Sequence, residues 1–215
     1  MDNKLRGRLM VGQRPLKPFI NVRIVSPQPS RDRLSRSRRV VIYMLTKDQE
    51  KWINHLSDDS RIKIIPFDPT SQEKFEKVKL IVQSKLGREM EVVHRGASSL
   101  GISGQDEIDV YVPVLEKQFD SYLVSLIELF DKPKSHYPLE RARFVTYVDG
   151  KHIDVFLINK ECCGWLNSVK FENYLRTNHA VLEEYRILKE SGDGLSIREY
   201  YRKKIEFYNS ILSKI

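Results

Sequence analysis

The sequence predicts an α+β fold, with short β-strands and amphipathic helices in one main domain. Three observations lead to this prediction: an apolar strand that begins at residue 107, a β-hairpin around residue 149, and apolar residues at helical spacing in several other segments. A chain of 215 residues with 40% hydrophobic residues is long enough to bury one core.

A strand–helix extension is predicted over residues 40–60, before the main domain. Residues 40–45 form a short apolar run, and Thr46 with Glu50 near the start of the next segment indicates a capped helix. The main domain is then predicted over residues 61–215.

The main domain is predicted to begin with a helix and a strand. Residues 71–86 have apolar residues at helical spacing, and Gly87 ends the pattern. The strand begins at Glu107 and carries apolar side chains at every second position. A second helix is predicted over residues 116–130.

A hairpin and two further helices complete the domain. The Asp149-Gly150 pair is typical of a two-residue turn, and it lies between FVTYV and HIDVFLI, both rich in β-branched and aromatic residues. One C-terminal helix is predicted to end around Gly192, and another spans residues 197–215. The regular spacing of their aromatic residues indicates core packing rather than a cofactor site.

Three carboxylates interrupt the predicted strands. Glu107 and Asp109 are two residues apart, so they project to the same face of their strand. Asp154 lies on the second hairpin strand, where its neighbours His152 and Phe156 indicate partial burial. Like charges this close repel each other unless a cation or a proton intervenes. The pattern therefore predicts a divalent-metal site formed by Glu107, Asp109 and Asp154.

The loop before the acidic pair has the composition of a phosphate-binding turn. Its glycines and serines are Gly96, Gly101, Gly104, Ser98, Ser99 and Ser103. Glycine allows backbone N–H groups to approach phosphate oxygens closely. Taken alone, such a loop is more typical of an ordinary turn, and the third acid is what favours a combined phosphate and metal site.

These motifs resemble the nucleotidyltransferase superfamily, which has the polymerase-beta-like palm fold. More closely, residues 62–215 resemble the GrpB family, through HRGASSLGISGQDEIDVYVPV, HIDVF and the C-terminal helical segments. The resemblance implies a mixed β-sheet with flanking helices, the nucleotidyltransferase-like palm fold. In active superfamily members it also implies magnesium-dependent transfer of a nucleoside monophosphate from a nucleoside triphosphate to an acceptor, which this sequence does not identify.

The resemblance further implies catalytic roles for the acids and the loop. With Mg²⁺ as the cofactor, Asp109 is expected to bridge two ions, Glu107 to hold the nucleotide-bound ion, and Asp154 to complete the ion that activates the acceptor. The residues expected to hold the triphosphate are Gly96, Ser98 and Ser99, with added charge from Arg95 or Lys151.

Two short motifs depart from the usual family pattern. Residues 94–98 are His-Arg-Gly-Ala-Ser where the family has His-x-Gly-Ser-Thr, so Ala97 replaces the usual serine. Residues 152–154 are His-Ile-Asp where many members have His-x-His, which brings the chain closer to the metal-binding pattern of the superfamily. The change at Ala97 keeps a second hypothesis open, a non-catalytic module that retains the fold and binds a nucleotide or a partner.

The remaining histidines and cysteines are not predicted to be ligands. His94 and His152 flank the proposed site, but a lone histidine on a strand is more often packed or hydrogen-bonded. Cys162 and Cys163 are adjacent, so they are expected to be reduced thiols. With two cysteines, no long apolar run and no signal-peptide segment, we expect a cytoplasmic protein without membrane contact.

The excess of positive charge lies in the N-terminal tail. Residues 1–39 contain 11 Lys and Arg against 2 Asp and Glu, so the tail has a net charge of +9. The rest of the chain has a net charge of −1, which gives the overall +8. With no helical or strand period, the tail is predicted to be disordered. Three interpretations stay open: a linker or an artefact of gene-start choice, an arm that contacts nucleic acid weakly through phosphates, or a transit peptide.

Overall fold

The computed structural model describes residues 45–215. The predictions for the tail of residues 1–39 and for a strand at residues 40–45 therefore lie outside the described residues, apart from Leu45. None of the helices over the described residues is long and apolar enough to cross a membrane.

Seven α-helices occur within the described part of the chain, with one turn of 3₁₀-helix at Glu116–Gln118. The helices are α1 Lys47–Asn54, α2 Ser71–Leu86, α3 Gly96–Ser99, α4 Phe119–Phe130, α5 Cys163–Thr177, α6 His179–Glu190 and α7 Ile197–Leu212. The predicted helix over residues 71–86 is confirmed with the same bounds.

Five strands form one mixed sheet in the order β1-β2-β5-β4-β3. They are β1 Val93–Arg95, β2 Glu107–Val114, β3 Ser135–Tyr137, β4 Arg141–Val148 and β5 Lys151–Asn159. The central pair, β2 and β5, is parallel, and every other pair is antiparallel. The predicted α+β class with a mixed sheet and flanking helices is confirmed.

The turn between β4 and β5 is the predicted hairpin. Asp149 and Gly150 have φ angles of 51° and 73°, so both lie in the left-handed region that a two-residue hairpin turn of this type requires. Aspartate and glycine tolerate this region better than most residues.

Two predictions about helices need correction. The predicted helix ending near Gly192 is two helices, because Asn178 leaves the helical conformation and its side-chain amide donates to Tyr174 O at 2.8 Å. Thr46 caps α1 as predicted, but its partner in the capping box is Gln49 rather than Glu50, because the third position of the helix is the one within reach.

The two faces of the sheet have different environments. One face packs against α2 and α4 in the main apolar core, which includes Ile108, Val110, Val112, Phe144, Ile153, Val155, Leu157, Phe75, Val78 and Leu126. The opposite face carries the charged residues at one end and a cluster of Tyr111, Phe156, Ile158 and Trp165 at the other. Alternation along β2 and β5 therefore separates the core face from the face that bears the acids.

The C-terminal helices cover the charged face. They share a second core, which includes Ile102, Phe171, Leu175, Tyr185, Ile211 and Leu212. The extended segment of residues 61–65 is tied to this part of the molecule, since Ile62 N–H donates to Leu195 O at 2.9 Å and Ile65 pairs with Gly104. The charged face is thus bounded by α5–α7 and by residues 61–65.

Candidate functional site

The register of the parallel strands brings four polar side chains to one face of the sheet, where the group of potential metal ligands includes Glu107, His152 and Asp154 but not Asp109. Glu107 of β2 lies opposite His152 of β5, and Asp109 lies opposite Asp154. Paired positions on neighbouring strands project to the same face, and so do positions two residues apart. Both acids predicted on the first strand therefore share a face with the acid predicted on the second.

Three of these side chains form a compact group of potential ligands. One ligand atom each from Glu107, His152 and Asp154 lie within 4.8 Å of one another. Asp109 and Asp154 are 6% and 1% exposed, whereas Glu107 is half-buried. Carboxylate oxygens around one point are the ligands that Mg²⁺ prefers, and imidazole is more usual for transition metals.

Asp154 has two close partners in the folded chain. Arg143 Nη2 donates to Asp154 Oδ1 at 2.9 Å, and His152 Nε2 lies 2.8 Å from the same oxygen. Burial is the largest single effect and lowers the pKa of Arg143, but the charge and hydrogen bond of Asp154, with the charges of Glu107 and Asp109, together raise the pKa above its ordinary value, so the arginine stays charged. Removing one partner of such a buried pair costs about 3–5 kcal/mol. A metal ion at Asp154 has to compete with this guanidinium.

Asp109 is held against the backbone of the glycine loop. Gly96 has a φ of 80°, and a β-carbon built on it would overlap Asp109 Oδ2. Only glycine satisfies both the backbone conformation and the close approach. The loop and the acidic strand are therefore in direct contact.

The predicted phosphate-binding residues already contact protein side chains. Gly96 N–H donates to Glu172 Oε2 at 3.3 Å, and Ser99 Oγ donates to Glu172 Oε1 at 3.2 Å. Ser98 Oγ lies 3.0 Å from His94 Nε2. The carboxylate of Glu172 thus accepts hydrogen bonds from Gly96 and Ser99, two residues that the sequence predicted to bind phosphate.

Arg95 is directed toward the same glutamate. Its Nη2 lies 3.2 Å from Glu172 Oε2 and donates to Ser168 O at 2.7 Å. The guanidinium also lies over the Trp165 ring, 4.9 Å from the ring centroid. Arg95 is 6% exposed, so it contributes a buried positive charge beside the loop.

A cavity of about 150 Å³ separates the acids from the C-terminal helices. Its lining includes Glu107, Asp109, Arg95, Lys189, Lys204 and Tyr208. Lys189 is 4% exposed; its Nζ donates to Tyr200 Oη at 3.3 Å and lies over the Tyr185 ring. Over residues 45–215, no carboxylate lies within ion-pair distance of Lys189. Burial also raises the pKa of Tyr208, so its hydroxyl stays protonated.

A second cavity of about 240 Å³ lies on the other side of Glu107. Its lining includes Asp154, Arg143, Arg61 and Lys63. Glu107 lines both cavities, so the acids stand between two separate spaces.

His94 is an uncharged structural residue beside the loop. Its ring stacks on Phe75 with centroids 4.8 Å apart, and its Nδ1 lies 3.0 Å from Gln72 Oε1. Burial lowers the pKa of His94 to about 4, with a smaller effect from the positive charge of Arg176. His94 therefore orients Ser98 rather than offering a charge to a ligand.

The sequence placed His152 on the face of Asp154, two residues away, but did not predict it as a ligand. Three further residues of this site were not predicted. Arg143, Glu172 and Lys189 come from three other elements, and no local pattern marks them.

The comparisons with known proteins concern the family and the fold. A family model described as GrpB protein matches residues 61–214. The solved structure of the conserved protein GrpB from Enterococcus faecalis has 19% identity and a TM-score of 0.51, and the match covers 70% of this chain and 93% of that chain. No curated protein matches the sequence.

Two RNA uridylyltransferase structures are also similar at a lower level. Cid1, described by its RNA terminal uridylyl transferase activity, has 14% identity and a TM-score of 0.39, covering 63% of this chain and 44% of Cid1. A cytoplasmic RNA terminal U-transferase has 12% identity and a TM-score of 0.38, covering 54% and 39%. The chain spans less than half of either transferase, and at these scores the likeness does not carry their activities over.

Proposed function

The chain belongs to the GrpB family, and on that premise we propose that it is a magnesium-dependent nucleotidyltransferase. It transfers a nucleoside monophosphate from a nucleoside triphosphate to a hydroxyl group of an acceptor. The observation that carries this proposal is the parallel register of β2 and β5, which gathers Glu107, Asp109 and Asp154 on one face between two cavities.

The reaction exchanges one phosphorus–oxygen bond for another and releases the proton of the acceptor hydroxyl. The acceptor oxygen bonds to the α-phosphorus, the bond from that phosphorus to the bridging oxygen of the β-phosphate breaks, and pyrophosphate leaves. The hydroxyl proton passes to water. Such transfers are accelerated mainly by positioning and by neutralisation of charge, which is work for fixed acids and cations.

The acids are suited to a hard cation. Glu107, Asp109 and Asp154 offer carboxylate oxygens, and bound Mg²⁺ supplies positive charge for the phosphate oxygens of the transition state. Because Arg143 and His152 already bond to Asp154, we expect a metal at Asp154 to require displacement of Arg143. Glu107 and Asp109 are therefore the first ligands in the proposal.

The 150 Å³ cavity is assigned to the nucleoside triphosphate. Lys189 supports this assignment, since it is a buried cation whose hydrogen-bond partner is a tyrosine hydroxyl, and phosphate oxygens complement it. Of the predicted phosphate-binding residues, Arg95 and Gly96 line this cavity, whereas Ser98 and Ser99 do not. Phosphate contacts with Gly96 and Ser99 also need Glu172 to move. In this proposal the protein holds the nucleoside triphosphate between buried positive side chains and the acids.

Specific observations also favour the second candidate, a non-catalytic module that binds a nucleotide or a partner. The Arg143–Asp154 ion pair neutralises one of the three acids, and Ala97 replaces the usual serine of the loop. A module of this kind retains the cavity and the fold without transferring a nucleotide. We also propose that the protein acts in the cytoplasm, in keeping with its two cysteines.

A transfer assay tests the proposal. Full-length protein is incubated with Mg²⁺, cell extract and each of the four α-labelled nucleoside triphosphates, and labelled products are identified. We expect Asp109→Asn to lower the transfer rate by about 100-fold or more, since it removes a metal ligand. Asp120→Asn, an exposed acid at the start of α4, is the matched control and should retain the rate.

Binding measurements separate the two candidates. Magnesium is titrated while nucleotide affinity is followed in the wild type and in Asp109→Asn. Curves that coincide would remove the metal from the proposal. Nucleotide binding without any labelled product would favour the non-catalytic module.

A further inference from the structure

We propose that the 240 Å³ cavity beside Asp154 is the acceptor site and that it binds the acceptor through a phosphate group. The acceptor is then a small phosphorylated compound with a hydroxyl group. This inference rests on the proposed function, which needs a second substrate next to the donor. It adds the chemical class of that substrate.

The position of the cavity suits a second substrate. It shares Gln105, Glu107 and Tyr201 with the 150 Å³ cavity, so the two spaces meet at the acids. Asp154 lines the second cavity but not the first. A compound in the second cavity therefore approaches the acids from the side opposite the proposed donor.

One wall of the cavity, formed by residues 61–65, carries two positive side chains, Arg61 and Lys63. Arg61, Ile62 and Lys63 all line the cavity. Arg61 and Lys63 are exposed, whereas Ile62 between them is buried and also belongs to an apolar cluster. Within the described part of the chain, neither Arg61 nor Lys63 has a side-chain hydrogen bond or an ion pair. Two cations are thus held at the cavity with their charge available to a ligand.

Arg143 is the third cation in the lining, and it is buried. It is 6% exposed, and Nη2 donates to Asp154. Its Nε–H is also buried, and among residues 45–215 it has no hydrogen-bond partner. A buried donor without an acceptor is unfavourable, and an anion in the cavity could accept its hydrogen bond.

The lining contains three cations, Arg61, Lys63 and Arg143, and three acids, Asp106, Glu107 and Asp154. Asp154 is paired with Arg143, and Asp106 is paired with Lys151, which lies outside the lining. Arg61 and Lys63 then remain as two positive charges, which match the two negative charges of a phosphate monoester. Glu107 is reserved in the proposed function for the metal.

One phosphate fits this wall better than a nucleic-acid strand. The two cations lie two residues apart on one segment and border a single cavity of about 240 Å³. A single strand is usually held along a groove that follows several successive phosphates and stacks their bases. The observations therefore favour a small acceptor over the end of an RNA.

Phosphate binding provides a test that does not depend on activity. Inorganic phosphate is titrated into full-length Lys189→Met, which lacks the buried cation of the donor cavity, at constant ionic strength. Adding Arg61→Gln and Lys63→Gln to this background should weaken phosphate binding at least fivefold. Adding Lys132→Gln and Lys134→Gln, an exposed pair with the same spacing before β3, should change it less than twofold. Circular dichroism shows that each variant is folded.

The outcomes separate this inference from the proposed function. Phosphate binding that is absent, or insensitive to the change at Arg61 and Lys63, would overturn the inference. A single-stranded RNA oligonucleotide that displaces phosphate at a tenfold lower concentration than glycerol 3-phosphate would also overturn it, in favour of a nucleic-acid acceptor. Phosphate binding that behaves as expected in a protein that transfers no nucleotide would support the phosphate site and refute the proposed function.

Discussion

Individual residues at the site are constrained by contacts that their spacing alone does not reveal. Gly96 combines a left-handed backbone conformation with direct contact to Asp109, so the loop position and the acid depend on each other. Asp154 similarly depends on Arg143, which neutralises it inside the sheet face. At least one acid of the site, Asp154, is therefore paired with a positive charge in the folded protein.

His94 makes a prediction about pH at the residue scale. The pKa of His94 is about 4 in the folded protein and 6.5 without the folded surroundings. On acidification the unfolded chain therefore takes up the proton first. The contribution of neutral His94 to the free energy of unfolding is complete above pH 6.5 and is lost as pH falls toward about 4. We expect a loss of about 2 kcal/mol between about pH 7 and about pH 5 from this residue.

Urea unfolding at the two pH values measures this contribution. His94→Gln keeps a polar side chain but does not titrate, so its free energy of unfolding should change less with pH than that of the wild type. His55→Gln, at the exposed end of α1, is the control and should keep the dependence of the wild type. Equal pH dependence in His94→Gln and the wild type would contradict the assignment.

At the scale of elements, the pairing of β2 with β5 decides which residues form the site. Shifting β5 by one residue would turn Asp154 toward the core formed with α2 and α4, and Val155 toward the charged face. The apolar residues of both strands therefore set the register that brings Asp109 beside Asp154. The acids are positioned by the packing of the opposite face.

The N-terminal cap of α1 is expected to contribute to the free energy of unfolding. Thr46 Oγ1 accepts from Gln49 N–H at 3.2 Å, and the Gln49 side chain bonds both to Thr46 N–H and to Asn209 of α7. Thr46→Ala should lower the free energy of unfolding by about 1 kcal/mol, because one helix N–H loses its acceptor. Lys47→Ala, an exposed change in the same turn, should stay within about 0.5 kcal/mol in the same urea measurement. Equal effects of the two substitutions would show that the cap contributes nothing.

At the scale of the whole molecule, charge is divided between the tail and the rest. Residues 1–39 carry +9 and the remaining residues −1, so any electrostatic attraction to nucleic acid is expected from the tail. The effect of an ion pair such as Arg143 with Asp154 at the proposed site does not extend far in salt.

The nucleic-acid-arm hypothesis makes a prediction for the whole chain. Full-length protein should be retained on immobilised RNA at low salt and released as salt rises, because contacts with phosphates release counterions. Deleting residues 1–39 should abolish this retention while leaving the thermal unfolding of the remaining chain unchanged. If both forms elute at the same salt concentration, the arm hypothesis is wrong and the linker or transit-peptide interpretation remains.

Several local elements and the candidate acids could be predicted from the chain alone. The helix at residues 71–86, the Asp149-Gly150 turn and the spacing of Glu107 and Asp109 depend on neighbours in the chain, so a period or a turn preference is enough to predict them. Three contacts emerge only from the folded chain: Arg143 bonds to Asp154, Glu172 contacts the glycine loop, and Lys189 lines the 150 Å³ cavity. These contacts join residues far apart in the chain, and they follow from strand register and helix packing, which no local pattern encodes.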